Sequence, residues 1–171
     1  MRSPLLTRIV AVAGVAAAAA MTAAGTATAT ADELPSAQDQ INRQLRDHPG
    51  GIQTGSREVA YQGGRVILSF PTSDGAGAAC ASGAYCFYDG VNFTGRTLTF
   101  RDCGGWQYLT DYGFGNKTSS WRNITKHHVQ VHDLEPEPIK LLWTETPRTD
   151  SSNVGSAADN RADGFRTLCG S

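Results

Sequence analysis

The spacing of hydrophobic positions changes character several times along the chain. Met1 to Ala31 opens with Arg2 and Arg8, runs apolar from Ile9 to Ala20 and closes on Ala29-Thr30-Ala31. That order is the pattern of a secretory signal cleaved after Ala31, which leaves a chain of single-domain length beginning at Asp32. From Asp32 to about His48, Ala37, Ile41 and Leu45 recur every fourth residue, and Ser36 stands three before Asp39 as a cap. The spacing predicts a helix with a narrow apolar stripe, lying on a surface and stopped by Pro49-Gly50-Gly51. Glu58–Tyr61 and Arg65–Phe70 are β-rich runs around Gln62-Gly63-Gly64, a hairpin pattern. Pro71 to Ala79 is a small-residue linker, and from Cys80 onward short aromatic strands alternate with Gly, Asn, Asp and Ser without helical period. The expected organisation is therefore a signal peptide (1–31), a helix, hairpin and linker (32–79) and an all-β domain (80–171).

A faint repeat runs through the β region. Gly115–Arg122 can be laid on Asp159–Arg166 at an offset of 44, polar loop, then aromatic, then Arg. Tyr88 and Trp143 are read as the aromatic strand starts of the two copies. Two four-stranded units, each covering the other's apolar face, predict a two-sheet sandwich.

Composition narrows the chemistry. The 15 Lys and Arg are scattered against 16 Asp and Glu, without the basic cluster that a nucleic-acid surface needs. Past the signal no apolar run is long enough to span a bilayer, so no membrane partner is expected. Four cysteines, all beyond the signal, read as two disulfides made in an oxidising compartment, and the protein is expected to be secreted. A structural zinc site is the competing reading, but thiolate ligand pairs come two to four residues apart and these do not. In Lys126–His132 the residues alternate as a strand, which separates His128 from His132 too far for one metal. No nucleophile elbow, His-Glu-x-x-His or phosphate loop is present, so the chain is not read as an enzyme. Trp106, Tyr108, Tyr112 and Trp121 are expected in the core of so small a sandwich rather than on a sugar-binding face.

Tyr85–Phe100 (Tyr-Cys-Phe-Tyr-Asp-Gly-Val-Asn-Phe-Thr-Gly-Arg-Thr-Leu-Thr-Phe) resembles the βγ-crystallin Greek-key signature, with Tyr88, Asp89, Phe93, Gly95 and Phe100 in register. Tyr88 and Phe93 would pack under a folded hairpin while Gly95 takes a backbone conformation that a side chain obstructs. With Asp102–Phe114 and Thr118–Trp121, the region from Cys80 to Cys169 resembles secreted actinobacterial peptidase inhibitors of βγ-crystallin fold, whose characterised activity is metalloproteinase inhibition. The resemblance implies a double Greek-key sandwich, an extracellular peptidase as partner, and bridges Cys80–Cys86 and Cys103–Cys169 among the three possible pairings; a monomer is expected. In that family the inhibitory loop of the second half is closed by its own disulfide. Here Ile139–Val154 contains no cysteine. The remaining candidate is the segment Trp143–Asp150, with Glu145, Thr146, Pro147 and Arg148 entering a peptidase cleft in extended form. The fold also implies Ca²⁺ between two polar loops, here Asn116, Ser119, Asp159 and Asp163, although neither loop is complete and no cofactor is required. A Ca²⁺-binding or surface-binding module without inhibition is the alternative function, and Asp32–Phe70 as a removable pro-segment is a further one.

Overall fold

The computed structural model describes residues 35–169, so the signal segment, Met1–Ala31, lies outside the described residues. Eleven strands follow one helix: α1 (Ala37–Asp47), β1 (Ile52–Gly55), β2 (Glu58–Tyr61), β3 (Val66–Ser69), β4 (Tyr85–Tyr88), β5 (Thr97–Phe100), β6 (Trp106–Tyr108), β7 (Ser120–Asn123), β8 (His128–Asp133), β9 (Lys140–Glu145), β10 (Thr149–Ser151) and β11 (Gly164–Leu168). They form a seven-stranded sheet, β1-β2-β3-β5-β4-β7-β10, and a four-stranded sheet, β6-β11-β8-β9, with every pairing antiparallel.

The order of strands gives the architecture. In the first half β4 pairs with β5 and β7, and in the second β8 pairs with β9 and β11. The third strand of each half crosses over: β6 joins β11 and β10 joins β7. Each half is a Greek key that lends a strand to the other, so neither sheet is complete without both halves. This is the double Greek-key sandwich expected above. The offset of 44 holds, because Trp121 on β7 matches Phe165 on β11. Trp143 is not the counterpart of Tyr88, however. It lies on β9, the counterpart of β5 in the repeat, and His132 on β8 occupies the matching place. The second half's first strand lacks the aromatic that marks the first.

Phe165 sits at the centre of the core, its ring 4.7 Å from that of Phe100, 5.0 Å from Phe87 and 5.3 Å from Tyr85. Val129, Val131, Leu98, Leu109 and Phe114 close around this aromatic cluster. The region before Cys80 is not a separate piece. β3 pairs with β5 over its full length, and Ile41, Val59, Tyr61, Val66 and Leu68 belong to the same buried cluster as Phe100. Its extra strand β1, on Ile52–Gly55 with an exposed, bulged register, carries no alternation of apolar and polar residues that would predict it.

The helix begins as its cap predicts, with Ser36 Oγ accepting the Asp39 N–H at 3.1 Å. Ile41 is fully buried, worth about 2 kcal/mol of transfer free energy. The decisive docking residue is polar: Gln44 Nε2 donates to the Tyr61 hydroxyl and to the Tyr112 carbonyl, each at 2.9 Å. A narrow stripe therefore reaches the core rather than lying over it.

Candidate functional site

The hairpin from β4 to β5 shows how the fold builds a rigid loop. Asp89 accepts from Arg96 twice, from its backbone N–H at 2.6 Å and its Nε at 2.7 Å. Gly95 has φ of 78°, and a Cβ there would lie 2.0 Å from Asp89 Oδ1, so only glycine permits the clasp. Tyr88 and Phe93 meet edge to face at 5.6 Å beneath it. The signature read from the sequence is thus a structural device, and it leaves no group free for chemistry.

The corresponding hairpin of the second half leads to the candidate loop. Asp133 stands where Asp89 does in the repeat, but its partner is Arg161 Nη2 at 2.5 Å, from the loop before β11. The connection between β8 and β9 holds Glu135 and Glu137 next to Pro136 and Pro138, all exposed. β9 then carries Trp143 and Glu145 inward. Glu145 lies opposite Val129 in the ladder and is fully buried. Trp143 Nε1 donates to its Oε1 at 3.2 Å, while Oε2 has no hydrogen-bond partner among the described residues. Desolvation pushes its carboxyl up to about 8, so at neutral pH the neutral acid predominates.

This placement corrects the expected extended loop. Trp143–Glu145 is strand, and Glu145 is core rather than contact residue, because pairing with Val129 turns its side chain between the sheets. What projects is the short turn after it. Thr146 and Arg148 are exposed, Pro147 partly so. Arg148 has φ of 57°, a left-handed conformation costly for a side chain of its size. The turn is braced across its base: Thr149 Oγ1 donates to the Thr146 carbonyl at 2.8 Å, and the two threonine hydroxyls are 2.9 Å apart. β9 enters it from one sheet and β10 leaves it in the other, where Asp150 faces Arg122 at 3.8 Å. The guanidinium of Arg122 in turn lies 3.8 Å from the Phe93 ring centroid. A three-residue tip is thereby fixed to both sheets.

The calcium set divides in two. Ser119 Oγ donates to Asp159 Oδ1 at 2.5 Å, and Asn160 Nδ2 donates to Asp159 Oδ2 at 3.1 Å. Asp163 accepts instead from the Leu134 N–H at 3.4 Å, while the Asn116 N–H donates to the Ala162 carbonyl at 2.8 Å, and burial raises the pKa of Asp163. The repeat explains the split, since the first position of each loop faces the fifth position of the other, and Gly115 supplies no oxygen where Asp159 does. The four residues named from sequence do not form one ligand shell. Each half-site offers one carboxylate, and that of Asp159 is already satisfied by protein donors.

Both disulfides join as the resemblance implied, Cys80–Cys86 with Cα atoms 5.8 Å apart and Cys103–Cys169 at 6.0 Å. Among the described residues, the one cluster of metal-ligand type is His127 beside the sulfurs of Cys103 and Cys169, which are held in that bridge. His132 packs on Trp106 with ring centroids 4.9 Å apart. Of the four aromatics expected in the core, Tyr112 and Trp121 are there. Trp106 and Tyr108 are 39% and 46% exposed, because β6 is an edge strand whose outward positions they occupy.

Among curated proteins none matches the chain. Among solved structures, one described under the evolution of the eye lens βγ-crystallin domain fold aligns with a TM-score of 0.49 and 9% identity, over 62% of this chain and 99% of the other. A βγ-crystallin domain from Clostridium beijerinckii aligns with a TM-score of 0.42 and 18% identity, over 50% of this chain and 97% of that one. Residues 73–134, which span β4 to β8, match the family model described as Peptidase inhibitor family I36, and it is this inhibitor family that the chain resembles across its first Greek key and the opening strand of the second.

Proposed function

We propose that the protein is a secreted peptidase inhibitor that binds an extracellular metallopeptidase through the turn Thr146–Arg148. The observation that carries the inhibitor reading is the family match over residues 73–134. The turn itself lies beyond that match, and its support is geometric. A short tip braced at its base, exposed at Thr146 and Arg148 and joined to both sheets, loses little conformational entropy when it is captured by a cleft. Its short reach suits wedging against a cleft mouth rather than lying along it as a strand. Nothing in the site assembles a nucleophile, a base and an oxyanion donor, and binding is the mode of action proposed.

The test is titration of the oxidised protein into a panel of secreted peptidases, led by a thermolysin-like zinc enzyme, with residual activity and cleavage of the added protein read together. Stoichiometric inhibition is expected from at least one metallopeptidase, and any slow nick should fall at 146–148. If every enzyme keeps its activity and the protein stays intact, the inhibitor reading fails and a surface-binding module remains.

A further inference from the structure

A cleft of about 350 Å³ opens beside the turn, where Arg101–Cys103 of the first Greek key, the connection Ile124–His127 between the halves, and Arg148 converge. Its charge is one-sided. Arg101, Lys126 and Arg148 are all exposed there, and none takes part in an ion pair among the described residues. The one carboxylate on its wall, Asp102, has Oδ2 directed at Arg65 outside the cleft, 4.0 Å from Nη1. His127 adds a further nitrogen base to the lining. Two of the three neutral hydroxyls of the lining are committed elsewhere: Tyr85 donates to the Asp102 carbonyl at 2.7 Å and Thr125 to Asn123 Oδ1 at 2.6 Å. Three cations without an ion-pair partner, set against the single carboxylate of Asp102, are a local departure in a chain whose acidic and basic residues nearly balance.

We infer that this cleft receives an acidic segment, a pair of neighbouring Asp or Glu side chains, from a partner polypeptide. Convergence on a pocket, instead of a stripe across the surface, selects a short anionic segment over a long polyanion. Arg148 belongs both to the cleft and to the tip proposed to meet a peptidase, so the cleft extends that contact by charge complementarity. The inference rests on the peptidase reading for the identity of the partner alone.

The experiment measures anisotropy of a fluorescein-labelled tetraglutamate peptide with the oxidised full chain at about 20 mM salt, where exposed charges are weakly screened. The peptide is expected to bind about tenfold more tightly than tetraglutamine, and the double variant Arg101→Gln, Lys126→Gln to lose about that factor. That variant leaves the turn intact, and an unchanged melting temperature shows that it is folded. Equal affinity for the two peptides, or full affinity in the double variant, overturns the inference. So does a heparin hexasaccharide that displaces the peptide at a lower concentration than unlabelled tetraglutamate, which would assign the cations to a sulfated glycan. Peptidase inhibition read on the same samples separates the two claims. Inhibition without peptide binding removes the cleft alone, and peptide binding without inhibition removes the peptidase alone.

Discussion

The two Greek keys share a topology and differ in what holds their hairpins. In the first, Asp89, Arg96 and Gly95 close a clasp within one hairpin, over the Tyr88–Phe93 pair. In the second, the equivalent Asp133 reaches across to Arg161, His132 replaces the tyrosine, and prolines fill the connection. A hairpin that closes on itself is finished locally and presents little. One that depends on another loop leaves its following strand and turn to be fixed by other means, here a buried Glu145 and a braced tip. The difference is one of exposure along the chain: the half that bears the signature closes its hairpin on itself, and the half that has lost the signature carries the exposed turn.

The largest effect should come from the residue both halves share. Phe165→Ala is expected to cost about 3–5 kcal/mol, because the Tyr85, Phe87 and Phe100 rings lose their common neighbour. Chemical denaturation would show this. Should the loss be under about 1 kcal/mol, the two sheets do not share one core.

Gly95→Ala comes next, at about 2–4 kcal/mol, from a left-handed backbone together with a Cβ placed on Asp89 Oδ1. The position matching it in the second half is Ile139, 49% exposed, and Ile139→Ala should stay within about 0.5 kcal/mol. Similar losses at both positions would mean that the second hairpin keeps a clasp of its own.

Glu145 gives the second half a pH dependence. Its carboxyl holds a proton in the folded protein up to about 8, whereas the unfolded chain releases it near the ordinary value of 4.5. Between those values the folded state binds more protons, so this group's contribution to stability is full below about pH 4.5 and declines as pH rises toward 8. Glu145→Gln should remove that decline and leave the protein more stable than the original at pH 8, by on the order of a few kcal/mol. Melting curves from pH 5 to 9 with parallel slopes in both proteins would count against a buried neutral acid.

Calcium should produce the smallest change. With one carboxylate in each half-site and Asp159 already hydrogen-bonded, millimolar Ca²⁺ is expected to shift the melting temperature by less than about 2 °C. A rise of several degrees would show that the loops rearrange around the ion.

Legibility in the sequence followed the same division. The first Greek key could be read because its devices are local: a glycine with positive φ, an aromatic pair and an acid lie within a few residues of one another. The second is legible only as a faint repeat, since the partner of Asp133 is distant in sequence and His132 stands where the first copy has its tyrosine. Glu145 looked like a loop residue because charge is ordinarily solvated, and only its register opposite Val129 places it inside. Gln44 is hidden for the same reason, being a polar side chain whose two acceptors come from strand β2 and from the remote turn that ends at Tyr112. Splitting of the calcium residues could have been foreseen from the repeat, because the offset that aligns the loops also pairs Asp159 with Ser119.

The tip of the second half is the element on which the proposed inhibition depends. Its measurement is the inhibition constant of the oxidised protein against the metallopeptidase found in the panel, beside a variant with Thr146, Pro147 and Arg148 all replaced by alanine. Inhibition by the original protein and a loss of about a hundredfold or more in the variant, with unchanged melting, is the expected result. Equal inhibition by both proteins would contradict it and move the contact to another surface.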